Sequence, residues 1–449
     1  MEPNQEKGLI KQVNSMSMFA KALLLGGLSL LLLIPLMMTS SLVEERRNTA
    51  ENVIDEVSDK WGKKQSVLSP MLRIPYKTLK KDDSKSTEIR YVWVTPKTLK
   101  VDAEVNTQER KRGIYTVPVY TSDIRIEGTW DMSIFQDESF TTDSLILQEA
   151  RIFFGLNDVK GFKDYVIVKV DNKELGLRPD KSTEVGYYED YYSPRLIPAL
   201  LSGHFPLEQE ALGKAFSFST AFTFTGSQSL HVATPGRSTS INIKSNWAHP
   251  SFTGRFLPES SQITPKGFEA QWSVVEYNRG YGNLIGDNEI SEVMGGAAIV
   301  DFIQPVNEYS QSERTIKYGI LIILLSFVSI FFIEMSLKKH NISLNLFHYI
   351  LVGLALVLFY TLLLSMSEII GFGWAYLIAS AMTIGLIGLY FRSLLPTGQT
   401  ALILVGILAF LYLFIYMLIQ LTTYALLVGS LGLFVILALV MYVSSKLIK

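Results

Sequence analysis

Residues 401–419 read ALILVGILAFLYLFIYMLI, a run with no charge and with only the hydroxyls of Tyr412 and Tyr416 as polar groups. A helix of about 20 such residues crosses the hydrocarbon core of a bilayer. Four more runs of this kind flank it, at 318–335, 346–366, 374–391 and 424–443. Short polar gaps at 338–345, 367–373, 392–400 and 420–423 separate them. The last third of the chain therefore reads as five membrane spans.

A sixth apolar run, 19–38, stands near the beginning, with Lys21 at its start. A cleaved secretory signal is the rival reading. Its apolar core is shorter, about 7–15 residues, and a small-x-small site follows it. Here only Thr39-Ser40-Ser41 resembles such a site, so the run reads as an uncleaved anchor. Pro35 near its far end is tolerable, because membrane helices accommodate proline kinks.

Lysine and arginine in short flanks set orientation. Lys7, Lys11 and Lys21 precede or open the first span, and Lys338 and Lys339 follow the second. Arg392 follows the fourth, and Lys446 and Lys449 follow the sixth. The gaps after the third and fifth spans carry neither residue type. All four clusters share one side if both termini are cytoplasmic, which places 44–316 in the periplasm. Arg46 and Arg47 oppose this, but they begin a long domain, and such domains translocate largely regardless of charge.

The 449 residues carry 48% hydrophobic and 18% charged side chains, with a net charge of −1. Near-neutrality gives no general case for nucleic acid. Absence of cysteine removes thiol nucleophiles, disulfides and Cys-ligated metals together. No cofactor is implied.

Between the first two spans the pattern changes. Residues 44–64 place Ala50, Val53, Ile54, Val57 and Trp61 at helical spacing among charges, which predicts a stalk helix. From 67 to 305 apolar residues alternate with polar ones. Strands are predicted at 89–93, 114–120, 123–130, 165–170, 216–219, 222–225, 238–244, 268–275 and 298–303. Gly, Pro, Asn and Asp punctuate them as turns. The fold class that follows is a polytopic α-helical membrane protein of six spans with a large inserted all-β periplasmic domain, an antiparallel sandwich or supersandwich. Residues 173–206, rich in Pro, Gly and Tyr, are the natural seam if the domain has two halves. Residues 305–314 form a polar tether to the second span. Trp61, Trp93, Trp130, Trp247 and Trp272 are scattered over separate elements and read as core.

Several stretches resemble the CreD family of Gram-negative inner-membrane proteins. In the spans these are SERTIKYG (312–319), YILVGLALVLFY (349–360), LLSMSE (363–368), WAYLIA (374–379) and YALLVGS (424–430). In the exported region they are RGIYTVPVY (112–120), GLNDVKG (155–161) and NWAHPSFTGRFLP (246–258). The resemblance runs from the anchor to the last span. It implies a protein linked to cell-envelope integrity, under a two-component system responsive to envelope or carbon state, and brings no established reaction or ligand. Two departures stand out. Thr422-Thr423 replaces an acidic pair before the last span, and Asn345-Leu-Phe-His348 replaces a His-Pro before the third.

The residues with chemical potential are few. Glu334 is the only carboxylate inside a span, and its place near the end predicts a side chain reaching the interface to pair with Lys338. Glu368 shares a helical face with Tyr360 and Leu364, and is equally a hydrogen-bond acceptor or a solvated end charge. His204, His231 and His249, with Glu189 or Asp190, lack zinc-ligand spacing, so no metal site is predicted. His249-Pro250-Ser-Phe252 fits a tight turn with an aromatic plug. Tyr187-Tyr188-Glu-Asp-Tyr191-Tyr192 combines apolar bodies with polar tips. Tyr187, Tyr188, Tyr191, Tyr192, His249, Phe252 and Glu368 are therefore the candidate contacts for a lipid, glycan or protein partner. Ala381, Gly385 and Gly388, and Ala425 with Gly429, form small-residue stripes suited to bundle packing or a homo-oligomer contact. Two rivals stay open. One is an anchored envelope hydrolase or transferase built on His249, Glu259 or Asp190. The other is a transporter, which needs a polar path through the bundle.

Overall fold

The computed structural model describes residues 18–79, 87–137, 144–180, 199–302, 308–337, 344–395, 398–421 and 424–447. Two compact units emerge, one comprising residues 1–50 with 306–449 and the other 51–305.

The first unit is helical. Its elements are α1 (Met18–Leu31), α2 (Leu33–Trp61), α3 (Glu308–Lys317) and α4 (Gly319–Ser336). They continue with α5 (Leu346–Ile370), α6 (Phe372–Leu394), α7 (Gly398–Gln420) and α8 (Ala425–Leu447). Among the described residues six helices are long and apolar enough to cross a membrane, counting α1 and α2 as one near-continuous helix. The interruption between Leu31 and Leu33 has a local cause. Pro35 lacks the N–H that would bond the Leu31 carbonyl, and its ring crowds that oxygen. Gly371, at φ 80°, closes α5 and opens α6, a conformation that suits glycine. The stripe on α6 divides: Gly388 is buried, while Ala381 and Gly385 are exposed.

The second unit holds the end of α2 and two sheets. One has eight strands in the order β14 (Ser260–Thr264), β15 (Gly267–Val275), β12 (Ser238–Ser245), β3 (Thr98–Arg112), β4 (Tyr115–Asp131), β10 (Ala215–Ser227), β6 (Ile167–Val170) and β7 (Lys173–Gly176). The other has nine. Its main path is β13 (Pro250–Gly254), β17 (Ala298–Phe302), β11 (Ser229–Val232), β1 (Gln65–Leu79), β5 (Arg151–Leu156), β9 (Ala199–His204) and β8 (Arg178–Pro179). On a branch, β2 (Thr87–Val94) pairs with β1, and β16 (Leu284–Gly286) pairs with β2.

Both sheets contribute to a single core. Val67, Leu72 and Ile74 of β1 join Leu99, Val101 and Val105 of β3 and Trp130 of β4 in one cluster. The seam stretch carries β7 in one sheet and β8 in the other, so it crosses between layers of one unit and does not divide two. Two pairings depart from an all-antiparallel arrangement. β1 runs parallel to β11, and β12 runs parallel to β3. Strands far apart in sequence have room for the long crossover that parallel pairing demands.

β1 is buried on both faces. Its other side, Leu68 and Met71, packs under Trp93, Phe153, Tyr281 and the short helix Ile290–Gly295. Arg73 lies on that side too, its guanidinium 4.2 Å from the Tyr91 ring and 4.3 Å from that of Phe153. Trp93, Trp130 and Trp272 are core, whereas Trp61 and Trp247 are only partly buried.

Candidate functional site

The middle of the eight-stranded sheet is built on alternation. Leu99, Val101, Ala103 and Val105 point into the core, and Thr98, Lys100, Asp102 and Glu104 occupy the opposite face. β4 repeats the pattern, with Ile124 and Ile126 inward and Asp123, Arg125 and Glu127 outward. Register sets Lys100 opposite Glu127 and Asp102 opposite Arg125. On the other flank Ser240, Asn242 and Lys244 stand opposite Lys100, Asp102 and Glu104. The outcome is a broad face of interleaved charges and hydroxyls.

Its ion pairs are exposed: Lys100 to Asp102 at 2.9 Å, Lys244 to Glu269 at 3.1 Å and Lys169 to Glu174 at 2.8 Å. Such pairs contribute little to stability and exchange partners readily. The hydrogen bond to Asp102 holds the Lys100 ammonium above the ordinary lysine pKa. Small residues thin the face in two places. One hollow of about 630 Å³ lies beside Ser219 and Ser240, between Lys100, Glu127 and Lys169. A second of about 500 Å³ lies beside Ala221, between Asp102, Arg125 and Lys244. An open face of this kind can bond a polar chain laid across the strands.

The residues singled out from sequence are placed differently. Phe252 on β13 sets its ring edge-on to Phe268 and Trp272, at 5.5 and 5.7 Å, so it packs against the core. His249 lies just before β13, where its carbonyl accepts the Trp247 indole N–H at 3.0 Å. Glu259 lies before β14 in the other sheet. His204 Nε2 is 2.8 Å from the Gln148 carbonyl. Tyr187, Tyr188, Glu189, Asp190, Tyr191 and Tyr192 fall outside the described residues. Among the described residues no group of three or more His, Asp or Glu is placed to hold a metal ion.

One pairing was not visible in the sequence. On β11, Ser229 Oγ lies 3.1 Å from His231 Nε2. Period two puts these residues on one face of the strand, and register places Asp301 across from Ser229. Burial pushes the His231 imidazole down to about 4, against the pull of Asp301, which keeps it neutral. The Asp301 carboxylate accepts the Thr253 hydroxyl at 2.7 Å. Ser229 itself is only 2% exposed.

In the helical unit Glu334 corrects the expectation of an interfacial end charge. It is buried, and the Lys21 ammonium of α1 pairs with its Oε1. The Leu344 N–H also donates to Oε1, at 3.1 Å, and the Tyr349 hydroxyl to Oε2, at 2.8 Å. Lys21 donates in turn to the Leu344 carbonyl at 2.7 Å. Lys338 lies outside the described residues. The signal was present in the sequence: Glu334 is the lone carboxylate in a span, and Lys21 is the lone cation in the first apolar run. Six spans bring both to the same end.

Glu368 sits at the other end of α5, where its Oε1 accepts the Tyr309 hydroxyl of α3 at 3.0 Å. Glu308, on the same short helix, lies over Gly371 just beyond Glu368. Burial, and secondly the Glu368 charge, raise the Glu308 pKa.

Comparison with known proteins places this arrangement among relatives. The family model described as inner membrane protein CreD matches residues 17–448. The inner membrane protein CreD of Escherichia coli strain K12 is 29% identical over 438 residues, covering 96% of this chain and 93% of the relative.

Proposed function

Because the chain belongs to the CreD family of inner membrane proteins, we propose that it supports cell-envelope integrity by non-catalytic binding through its β unit. In this reading both termini are cytoplasmic and residues 44–316 are periplasmic, in keeping with the four basic clusters on one side. The partner is a polar envelope polymer, a glycan or an extended peptide, and expression belongs to an envelope stress response.

The observation that carries this reading is the outer face of the eight-stranded sheet. It offers alternating donors and acceptors in register over shallow hollows. A flat, charge-balanced face suits a long neutral or zwitterionic chain better than a compact anion.

The test uses the full-length protein in nanodiscs and purified peptidoglycan sacculi. Cosedimentation is expected for the parent and a several-fold loss for Lys100→Glu with Arg125→Glu. No cosedimentation, or none lost in the double variant, overturns the glycan assignment. Binding to an unfolded periplasmic peptide library by the same face would then favour the peptide.

The Ser229–His231 contact favours a second reading, a hydrolase, because a neutral imidazole beside a hydroxyl is a nucleophile–base arrangement. Labelling of Ser229 by a fluorophosphonate would support it. Burial of the serine argues for a structural hydrogen bond, and no labelling is expected.

A further inference from the structure

The helical unit contains a groove that the protein itself does not fill. It lies between α4, α7 and α8 and encloses about 800 Å³. Leu325, Phe410 and Ile436 mark its deep end, and Ser336, Thr400 and Lys446 mark its mouth. From Leu325 to Leu337 the rise along α4 is about 18 Å. Half the hydrocarbon core of a bilayer is about 15 Å, so the groove runs the depth of one leaflet.

Two features keep it open. A side chain built on Gly406 would meet nothing within 4 Å. α8 touches α7 closely at Gly432, against the Phe414 ring, but none of its membrane window is buried. At the mouth the Lys446 ammonium rests 4.8 Å from the Tyr442 ring centroid. Among the described residues no carboxylate pairs with it. A cation at the membrane surface, above an apolar slot one leaflet deep, is charge-complementary to one class of molecule: a phosphate headgroup carrying an acyl chain.

We propose that this groove is a binding site for an anionic glycerophospholipid of the leaflet at the Lys446 end. One acyl chain lies along α4 and α7, and the phosphate is held by Lys446, with Ser336 and Thr400 beside it. The proposal is independent of what the β unit binds.

Native mass spectrometry of the full chain, released from detergent after incubation with dioleoyl phosphatidylglycerol or dioleoyl phosphatidylcholine, tests it. The parent is expected to retain the glycerol lipid about fivefold over the choline lipid, the effect of about one basic contact. Lys446→Gln should bring the two to parity, and Lys446→Arg should restore the preference. Gly406→Leu, which fills the slot, should lower retention of both lipids. Equal retention by the parent, an unchanged preference in Lys446→Gln, or full retention in Gly406→Leu would each overturn the proposal. So would a lipid-free dimer that Gly406→Leu disperses, since a second copy would then be the occupant. Lys446 lies at an exposed helix end, so its variants report even if the glycine variant fails to fold.

Discussion

Two carboxylate sites lie at opposite ends of the same helices and are built on opposite principles. Glu334 is buried, and every acceptor direction that matters is met by Lys21, the Leu344 amide or the Tyr349 hydroxyl. Glu368 and Glu308 stand near each other, with the Tyr309 hydroxyl donating to Glu368 and, among the described residues, no cation bonded to either. The first site ties α1, α4 and α5 together with the segment that precedes α5. The second leaves a like-charge interaction in place at the α3–α5 contact. A charge inside a bundle is thus tolerated in two ways: by full satisfaction, which fixes geometry, or by partial exposure, which leaves the pair responsive to protons.

The largest test of that contrast is Glu334→Ala. Removing one partner of a buried ion pair strands the other, at a cost of about 3–5 kcal/mol. Unfolding in sodium dodecyl sulfate, followed by circular dichroism, should show that loss. Lys21→Met combined with Glu334→Leu should recover most of it, because a packed apolar pair replaces two ions. A single variant that costs less than about 1 kcal/mol, the value of an exposed pair, would place Glu334 in the same class as Glu368.

The β unit offers an intermediate case, a half-buried titratable group with no counterion bonded to it among the described residues. His231 has its pKa depressed to about 4 by burial, from an ordinary value of 6.5. The unfolded chain therefore binds the proton first. The stability contributed by the neutral ring is present above pH 6.5 and is lost as pH falls toward 4. The full loss is about 3 kcal/mol, taking about 1.4 kcal/mol per unit. His231→Gln should flatten the pH dependence of β-unit melting over that window. A parent whose melting does not change between pH 7 and 4.5 would refute the assignment.

How much of this was legible beforehand depended on whether a single face or two faces of an element are buried. The spans were plain, because lipid demands an apolar run with nothing to interrupt it. Strands with one wet face, such as β12 and β15, announced themselves by alternation. β1 did not: both its faces are covered, so Gln65–Leu79 shows burial without period two. β3 alternates through Val105 but ends in a charged run, Gln108 to Arg112, that masks it. β4 and β10 each appeared as two short strands, because Tyr120-Thr-Ser-Asp123 and Ser219-Thr-Ala221 look like turns, whereas the ladder runs through both, 120–123 against 223–226 and 219–221 against 125–127. The tertiary contacts were harder still. Lys21–Glu334 required knowing which neighbours the fold brings together, although topology alone would have put the two at one end, and Ser229–His231, a local pair on β11, required reading 229–232 as a strand.

A smaller effect is expected at Tyr309. Its hydroxyl bonds Glu368 in a partly exposed setting. Tyr309→Phe should cost about 1 kcal/mol, the net worth of one such bond. Thermal unfolding in detergent measures it. A loss as large as that at Glu334 would mean that the Glu368 end is also a clamp and would dissolve the contrast.

The smallest effect has the opposite sign and is for that reason the sharpest. The Glu308 pKa is raised in the fold, by burial first and by Glu368 second. A group of this kind contributes its full stability below its unfolded pKa and loses it as pH rises through the folded value. At neutral pH the ionised pair is therefore a liability, reduced by solvent screening to a few tenths of a kcal/mol, up to about 1. Glu308→Gln should stabilise the helical unit by that amount at pH 7. It should do nothing below about pH 3, where the parent carboxyl is itself neutral in both states. Added salt should shrink the gain, since it screens the same repulsion. The parallel change at the other end, Glu334→Gln, should destabilise at pH 7, because it removes the charge that Lys21 pairs with. Removing one negative charge thus helps at one end of the bundle and harms at the other. A Glu308→Gln variant that lost stability at pH 7 would show that the outer carboxylates have a cationic partner and are a second, unrecognised clamp.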